Sequence, residues 1–94
     1  MDKAELQRQA WIGDSVLELY ARLKILREDG RLDAERAKSI CSNQFLSAFG
    51  EPTAVEAQIG RAYQEGGIDL AFRWIDTNLM PLYERQQEKK RRRA

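Results

Sequence analysis

The sequence predicts an all-α fold, and three observations carry that prediction. Apolar residues recur at three- and four-residue intervals over long stretches. No stretch alternates at period two for long enough to make a strand. Helix start and stop signals bracket the periodic stretches: Asp2 with Glu5 before Gly30, then Glu51-Pro52-Thr53 before Gly66-Gly67. The 94 residues suit one domain of about four to five helices. A chain this short buries a modest share of its surface, so association with a second copy would add to its stability.

The first helix is expected from about Asp2 to Asp29, opened by the Asp2/Glu5 capping box and closed at Gly30. Ile12, Val16, Leu19, Tyr20 and Leu23 follow one helical face, and Leu6, Ala10, Leu17 and Ala21 form a second face beside it. A helix apolar over so much of its circumference belongs at the centre of a fold. A second helix is expected from near Asp33 to Gly50, with Ala37, Ile40, Cys41, Phe45 and Ala48 inward. The third opens at Glu51-Pro52-Thr53, carries Val55, Ile59, Ala62 and Tyr63 on one face, and stops at Gly66-Gly67. The fourth runs from Asp69 to about Leu79, burying Leu70, Ala71, Trp74 and Ile75, with Pro81 interrupting the chain beyond it.

Composition narrows the chemistry. The chain has no histidine, which removes His-based general bases, Ser-His-Asp and Cys-His nucleophiles and the usual zinc sites. Any catalysis falls to carboxylates or to a metal they hold. No apolar run exceeds three residues, so no membrane span is expected. The opening MDKAELQRQ lacks the apolar core of a secretory signal, and the single Cys41 has no partner for an internal disulfide; both point to a cytoplasmic chain. Net charge is +1 but unevenly placed, since residues 84–94 hold six basic and two acidic residues. The expected organisation is therefore a helical domain over 1–83 and a flexible basic tail over 84–94. That tail is either a solvated end or an arm for phosphate groups.

Gly13 and Asp14 raise the sharper question, because both are costly inside a helix. On the helical wheel Asp14 falls near Ala10, Ala21 and Ile25, at the rim of the second apolar face. Glu18, one turn on, has Arg22 as an ion-pair partner at i+4, whereas Asp14 has none at i+4 or i−4. Glu56 flanks the Val55/Ile59/Tyr63 stripe beside Gly60. It either caps its own helix, through the Thr53-x-x-Glu56 pattern, or lies inside the first turn behind Pro52 and reaches Asp14. Two carboxylates from two packed helices would suit Mg²⁺, which takes one or two carboxylates together with waters and phosphate oxygens.

The segment W-I-G-D-S-V-L-E-L, residues 11–19, resembles the nuclease-domain signature of the ribonuclease III family. The segment P-T-A-V-E-A-Q-I-G-R-A-Y-Q-E-G-G, residues 52–67, is similar to that family's other acidic motif, in the right order along the chain. With the intervening Asn43-Gln44-Phe45-Leu46 helix, the resemblance covers most of the sequence. It implies an all-helical homodimer that cuts double-stranded RNA with Mg²⁺, leaving 5′-phosphates and short 3′ overhangs; whether Mn²⁺ substitutes for Mg²⁺ is left open by the sequence. Of the family's four acidic positions, Asp14 and Glu56 match as catalytic and metal-holding residues, while Ala10 and Thr53 stand where the other two would be. The small Mini-III branch, which lacks a double-stranded-RNA-binding domain, departs from the pattern in a similar way. Asp14 and Glu56 are 42 positions apart, so the helical material between the motifs is shortened, which bears on RNA grip more than on metal binding.

On this reading Gly13 lets a neighbouring helix, of this chain or of a partner, approach closely. Trp11 takes the place of an aromatic that in relatives packs into the other subunit; an ordinary core tryptophan is the alternative. Trp11 and Gly13 are thus the candidate dimer contacts, and Lys89, Lys90, Arg91, Arg92 and Arg93 the candidate RNA contacts. The leading expectation is a Mg²⁺-dependent endoribonuclease acting on double-stranded or structured RNA. The alternative is a catalytically inactive relative that keeps the fold and serves as an RNA-binding or scaffolding dimer.

Overall fold

The computed structural model describes residues 2–93, and among these described residues there are five helical segments and no strands. Helix α1 spans Lys3–Asp29, α2 Ala34–Cys41, α3 Asn43–Leu46, α4 Pro52–Asn78 and α5 Met80–Arg93. Asp2 caps α1 by accepting from the Glu5 N–H at 2.8 Å, and the Gly30 N–H closes the other end on the Leu26 carbonyl at 3.0 Å. Both limits follow the sequence signals. Among the described residues no helix is long and apolar enough to cross a membrane.

The expected second helix, from Asp33 to Gly50, is divided. Ser42 is extended, and its hydroxyl serves both neighbours: it donates to the Ser39 carbonyl at 2.9 Å and accepts from the Phe45 N–H at 3.1 Å. A serine that satisfies the end of one helix and the start of the next competes successfully with a continuous backbone ladder. The expected third and fourth helices are the two halves of α4. They meet without a loop at Gly66 and Gly67, whose backbones leave the helical region, Gly67 with φ +73°. Only glycine takes that conformation without strain, so the bend is written into the residue type. Pro81 does not break the helix it belongs to. It sits in the first turn of α5, where no helical N–H partner is required. Residues 84–93, expected as a flexible tail, continue α5 as helix.

α1 is the central element, packed along α4. Leu17 and Ala21 on α1, Ile40, Leu46, and Ile59 and Ile75 on α4 are fully buried around this contact. Tyr20 ties α1 to the second half of α4, its hydroxyl donating to Asp76 and its ring meeting Phe72 edge-on at 5.2 Å. Burial and the Asp76 carboxylate both push the Tyr20 pKa upward, so the phenol stays a donor. α5 closes over α2 and α3: the Tyr83 hydroxyl donates to Ser39 Oγ at 3.0 Å, and its ring meets Phe45 edge-on. Arg36 bridges back to Glu28 and Asp29 at the end of α1.

Candidate functional site

The geometry of the site begins with two glycines. A Cβ on Gly13 would lie 1.7 Å from the Glu56 carbonyl oxygen, and one on Gly60 would lie 1.9 Å from the Gln9 carbonyl oxygen. α1 and α4 therefore touch backbone to backbone, each using its glycine to admit the other. Gly13 serves the close approach of a helix in its own chain, and its open side is filled by α4 rather than turned outward. Gln9 fastens the crossing further, its Nε2 donating to Glu5 and Gln64 at 2.8 Å each.

The residue after Gly13 is Asp14, and the residue whose carbonyl fills the space over Gly13 is Glu56. The crossing thus brings the two carboxylates together. Asp14 is exposed and Glu56 half-buried. Burial, followed by the neighbouring Asp14 carboxylate, pushes the Glu56 pKa up to about 7. A carboxyl poised near neutrality by desolvation and a like charge is a frequent mark of a functional site, because a cation or a proton is what relieves it. Glu56 is free for this role because Glu51 caps the helix, accepting from the Thr53 and Ala54 N–H groups at 3.1 and 2.8 Å, with Pro52 in the first turn. Of the two readings open for Glu56, the one that brings it beside Asp14 is observed, with Glu56 lying just past the first turn of α4 rather than inside it.

Glu18 accepts from Arg22 at 2.6 Å, as its spacing suggests, and both side chains are exposed. Cys41, at the end of α2, completes the surroundings. Its thiol is pushed up to about 12 by burial and then by the charges of Glu18, Asp14 and Glu56. A thiol held protonated is neither a nucleophile nor a thiolate ligand. The charges of these carboxylates thus reach the end of α2, an influence that no local signal in the sequence announces. Beside this end lies an apolar hollow of about 600 Å³ between α1 and α2, lined by Ile25, Leu26, Leu32 and Ala37, with Cys41 at its edge.

As a metal site the arrangement is sparse. Among the described residues no group of three or more His, Cys, Asp or Glu side chains converges. Ala10 is buried, and Thr53 offers its backbone N–H to Glu51. Two adjacent oxygen-donor carboxylates, one with its pKa raised by burial and then by the other, do fit a hard divalent cation that keeps most of its waters.

The other candidates separate. Trp11 is 80% exposed and is not part of the chain's core. Of the five basic residues from 89 to 93, Lys89, Lys90 and Arg93 line a cleft between α5 and α2–α3, while Arg92 pairs with Glu88 at 3.2 Å. Lys38, on the far wall of that cleft, has no signal in the sequence, because nothing local links it to residues fifty positions away. In comparisons with known proteins, the chain matches no family model, no curated protein and no solved structure.

Proposed function

We propose that this chain is a small Mg²⁺-dependent endoribonuclease that acts as a homodimer on double-stranded or structured RNA. The observation that carries the reading is the Gly13/Gly60 crossing, which sets Asp14 against Glu56 and raises the Glu56 pKa to about 7. A structural role leaves that juxtaposition unexplained, since two like charges side by side destabilise the helix contact they share. The resemblance of residues 11–19 and 52–67 to the two acidic motifs of the ribonuclease III family names the chemistry. Asp14 and Glu56 hold the ion directly or through its waters. A bound Mg²⁺ supplies an activated water and charge stabilisation for in-line attack on a phosphodiester. Asp14, the exposed member, faces incoming substrate, and half-buried Glu56 anchors the pair on α4. The dimer surface in this reading is the outward face of α1, where Trp11, Leu19, Leu23 and Leu26 stand exposed.

One observation favours a second reading, an RNA-binding dimer without catalysis: only two carboxylates meet, with Ala10 and Thr53 beside them. Cleavage decides between the two. End-labelled double-stranded RNA is incubated with wild type, Asp14→Asn and Glu56→Gln, in Mg²⁺ and in Mn²⁺. Cutting by wild type that both substitutions reduce by about a hundredfold or more is the expected result for groups that hold the ion. Folded wild type that leaves several duplex lengths intact with either metal would assign the chain to the second reading.

A further inference from the structure

A cleft of about 570 Å³ separates α5 from α2 and α3. Its charge is arranged rather than scattered. At 100° per residue, Tyr83, Gln86, Lys89, Lys90 and Arg93 share one face of α5, and this face lines the cleft. Glu84 and Glu88 lie on the opposite face with Arg91 and Arg92, and Glu88 pairs with Arg92. The helix thus sends its carboxylates outward and only cations inward. Lys38 adds a fourth cation from the α2 wall, against a single carboxylate, Glu35. Lys38, Lys89, Lys90 and Arg93 are all exposed, and among the described residues none of them is in an ion pair. A merely solvated helix end has no reason to sort its charges toward a concave wall.

The floor of the cleft says what kind of anion fits. Phe45 and Tyr83 are buried against one another at 5.1 Å, so no aromatic face is open for a base to stack upon. The Tyr83 hydroxyl is already bonded to Ser39. Apart from Glu35, what remains available is cationic or uncharged and polar, with the half-buried amides of Gln86 and Gln87 between the cations. Such a lining contacts a phosphate backbone without reading bases.

We propose that this cleft holds the phosphate backbone of double-stranded RNA, the polyanion being taken from the function proposed above, with Lys38, Lys89, Lys90 and Arg93 as its contacts. Arg91 and Arg92 take no part.

The test is binding of a fluorescent RNA duplex by the full chain in EDTA, read as anisotropy over a range of salt. Lys89→Ala/Lys90→Ala/Arg93→Ala is compared with Arg85→Ala/Arg91→Ala/Arg92→Ala, which removes the same charge from outside the cleft. The cleft triple is expected to bind about tenfold or more weakly, with its salt slope reduced by about 2 to 3, and Lys38→Ala to lose a further severalfold. The outer triple is expected to change affinity less than about threefold. Equal losses in both triples would reduce the effect to net charge and overturn the proposal. So would unchanged binding by the cleft triple at unchanged melting temperature, or binding of heparin through these residues without binding of RNA. Cleft-dependent binding by a protein that never cuts keeps the cleft and removes the nuclease. Cutting by wild type with undiminished binding by the cleft triple does the reverse.

Discussion

The two sides of α1 obey the same apolar rhythm and meet opposite fates. Toward α4 the helix presents Gly13, Leu17 and Ala21, all buried, at a contact so close that backbones touch. Turned away from it are Trp11, Leu19, Leu23 and Leu26, each between 44% and 80% exposed. The inner side is made of small residues where approach matters and large ones where space remains. On the outer side large side chains are left in water, at roughly 25 cal/mol for each Å² of apolar surface that a partner could have covered. Small residues thus mark the contact completed within the chain, and large exposed ones mark a face that the chain itself leaves uncovered. Asp14 and Glu56, the carboxylates proposed to be functional, are brought together by the completed side, because a backbone-tight crossing fixes how their helices meet.

Disturbing that crossing has the largest expected effect. Helix propensity alone says Gly13→Ala should stabilise α1 by about 0.8–1 kcal/mol. The added methyl would instead sit 1.7 Å from the Glu56 carbonyl oxygen, and backbone cannot swing aside as a side chain can. Overpacking of this kind costs about 3 kcal/mol or more, so the clash outweighs the propensity. Gly13→Ala and Gly60→Ala are each expected to lower the melting temperature by about 15 °C, measured by circular dichroism. The sign alone is diagnostic, since a rise in either variant would mean that the helices do not meet this way.

The outer side is sharpened by a substitution that leaves the fold alone. Trp11→Arg together with Leu19→Glu changes only exposed positions, so the melting temperature of the monomer is expected to move by less than about 3 °C. Sedimentation or light scattering is expected to find wild type dimeric and the double variant monomeric at the same concentration, because charges placed in an apolar interface lose hydration without gaining partners. A monomeric wild type at concentrations of about 100 μM would show that no second copy covers this face.

The contrast also explains what was legible in the sequence. The limits of α1 were readable because Asp2 and Gly30 act through their own backbone neighbours, and the start of α4 because Pro52 has few other uses. The meeting of Asp14 and Glu56 was legible for a different reason: Gly13 and Gly60 each stand beside a carboxylate or one turn from it, so close packing and acid pairing coincide. The split at Ser42 was not legible, since a serine in a helical run looks the same whether its hydroxyl faces water or caps two ends. Nor was the exposure of Leu19 and Leu23, which share their rhythm with buried Val16 and Tyr20. Periodicity reports that a face is apolar, and only the rest of the fold decides whether anything covers it. The helical course of residues 84–93 was hidden because its charged face carries no apolar stripe beyond Tyr83, although Lys, Arg, Gln and Glu are all good helix formers.

The smallest effect tests the carboxylate pair without any substrate. The Glu56 pKa is raised to about 7, above the usual value of about 4.5, so the folded chain holds this proton more tightly than the unfolded one. The stability that Glu56 contributes is then fully present below pH 4.5, is lost as pH rises through 7, and levels off above it. Because Glu56 is only half-buried, solvent screening reduces the penalty to about 1 kcal/mol, or about 5 °C in melting temperature for a domain of this size. Glu56→Gln removes the charge without removing the shape. It is expected to melt about 5 °C above wild type at pH 8, and to lose that advantage by about pH 5. Mg²⁺ is expected to close the same gap at pH 8 by raising wild type alone, since a cation between the carboxylates relieves the repulsion that the amide abolishes. A wild type whose melting temperature is flat between pH 5 and 8 would mean that Asp14 and Glu56 do not share a site. A gap that persists in Mg²⁺ would mean that they share one without holding the ion.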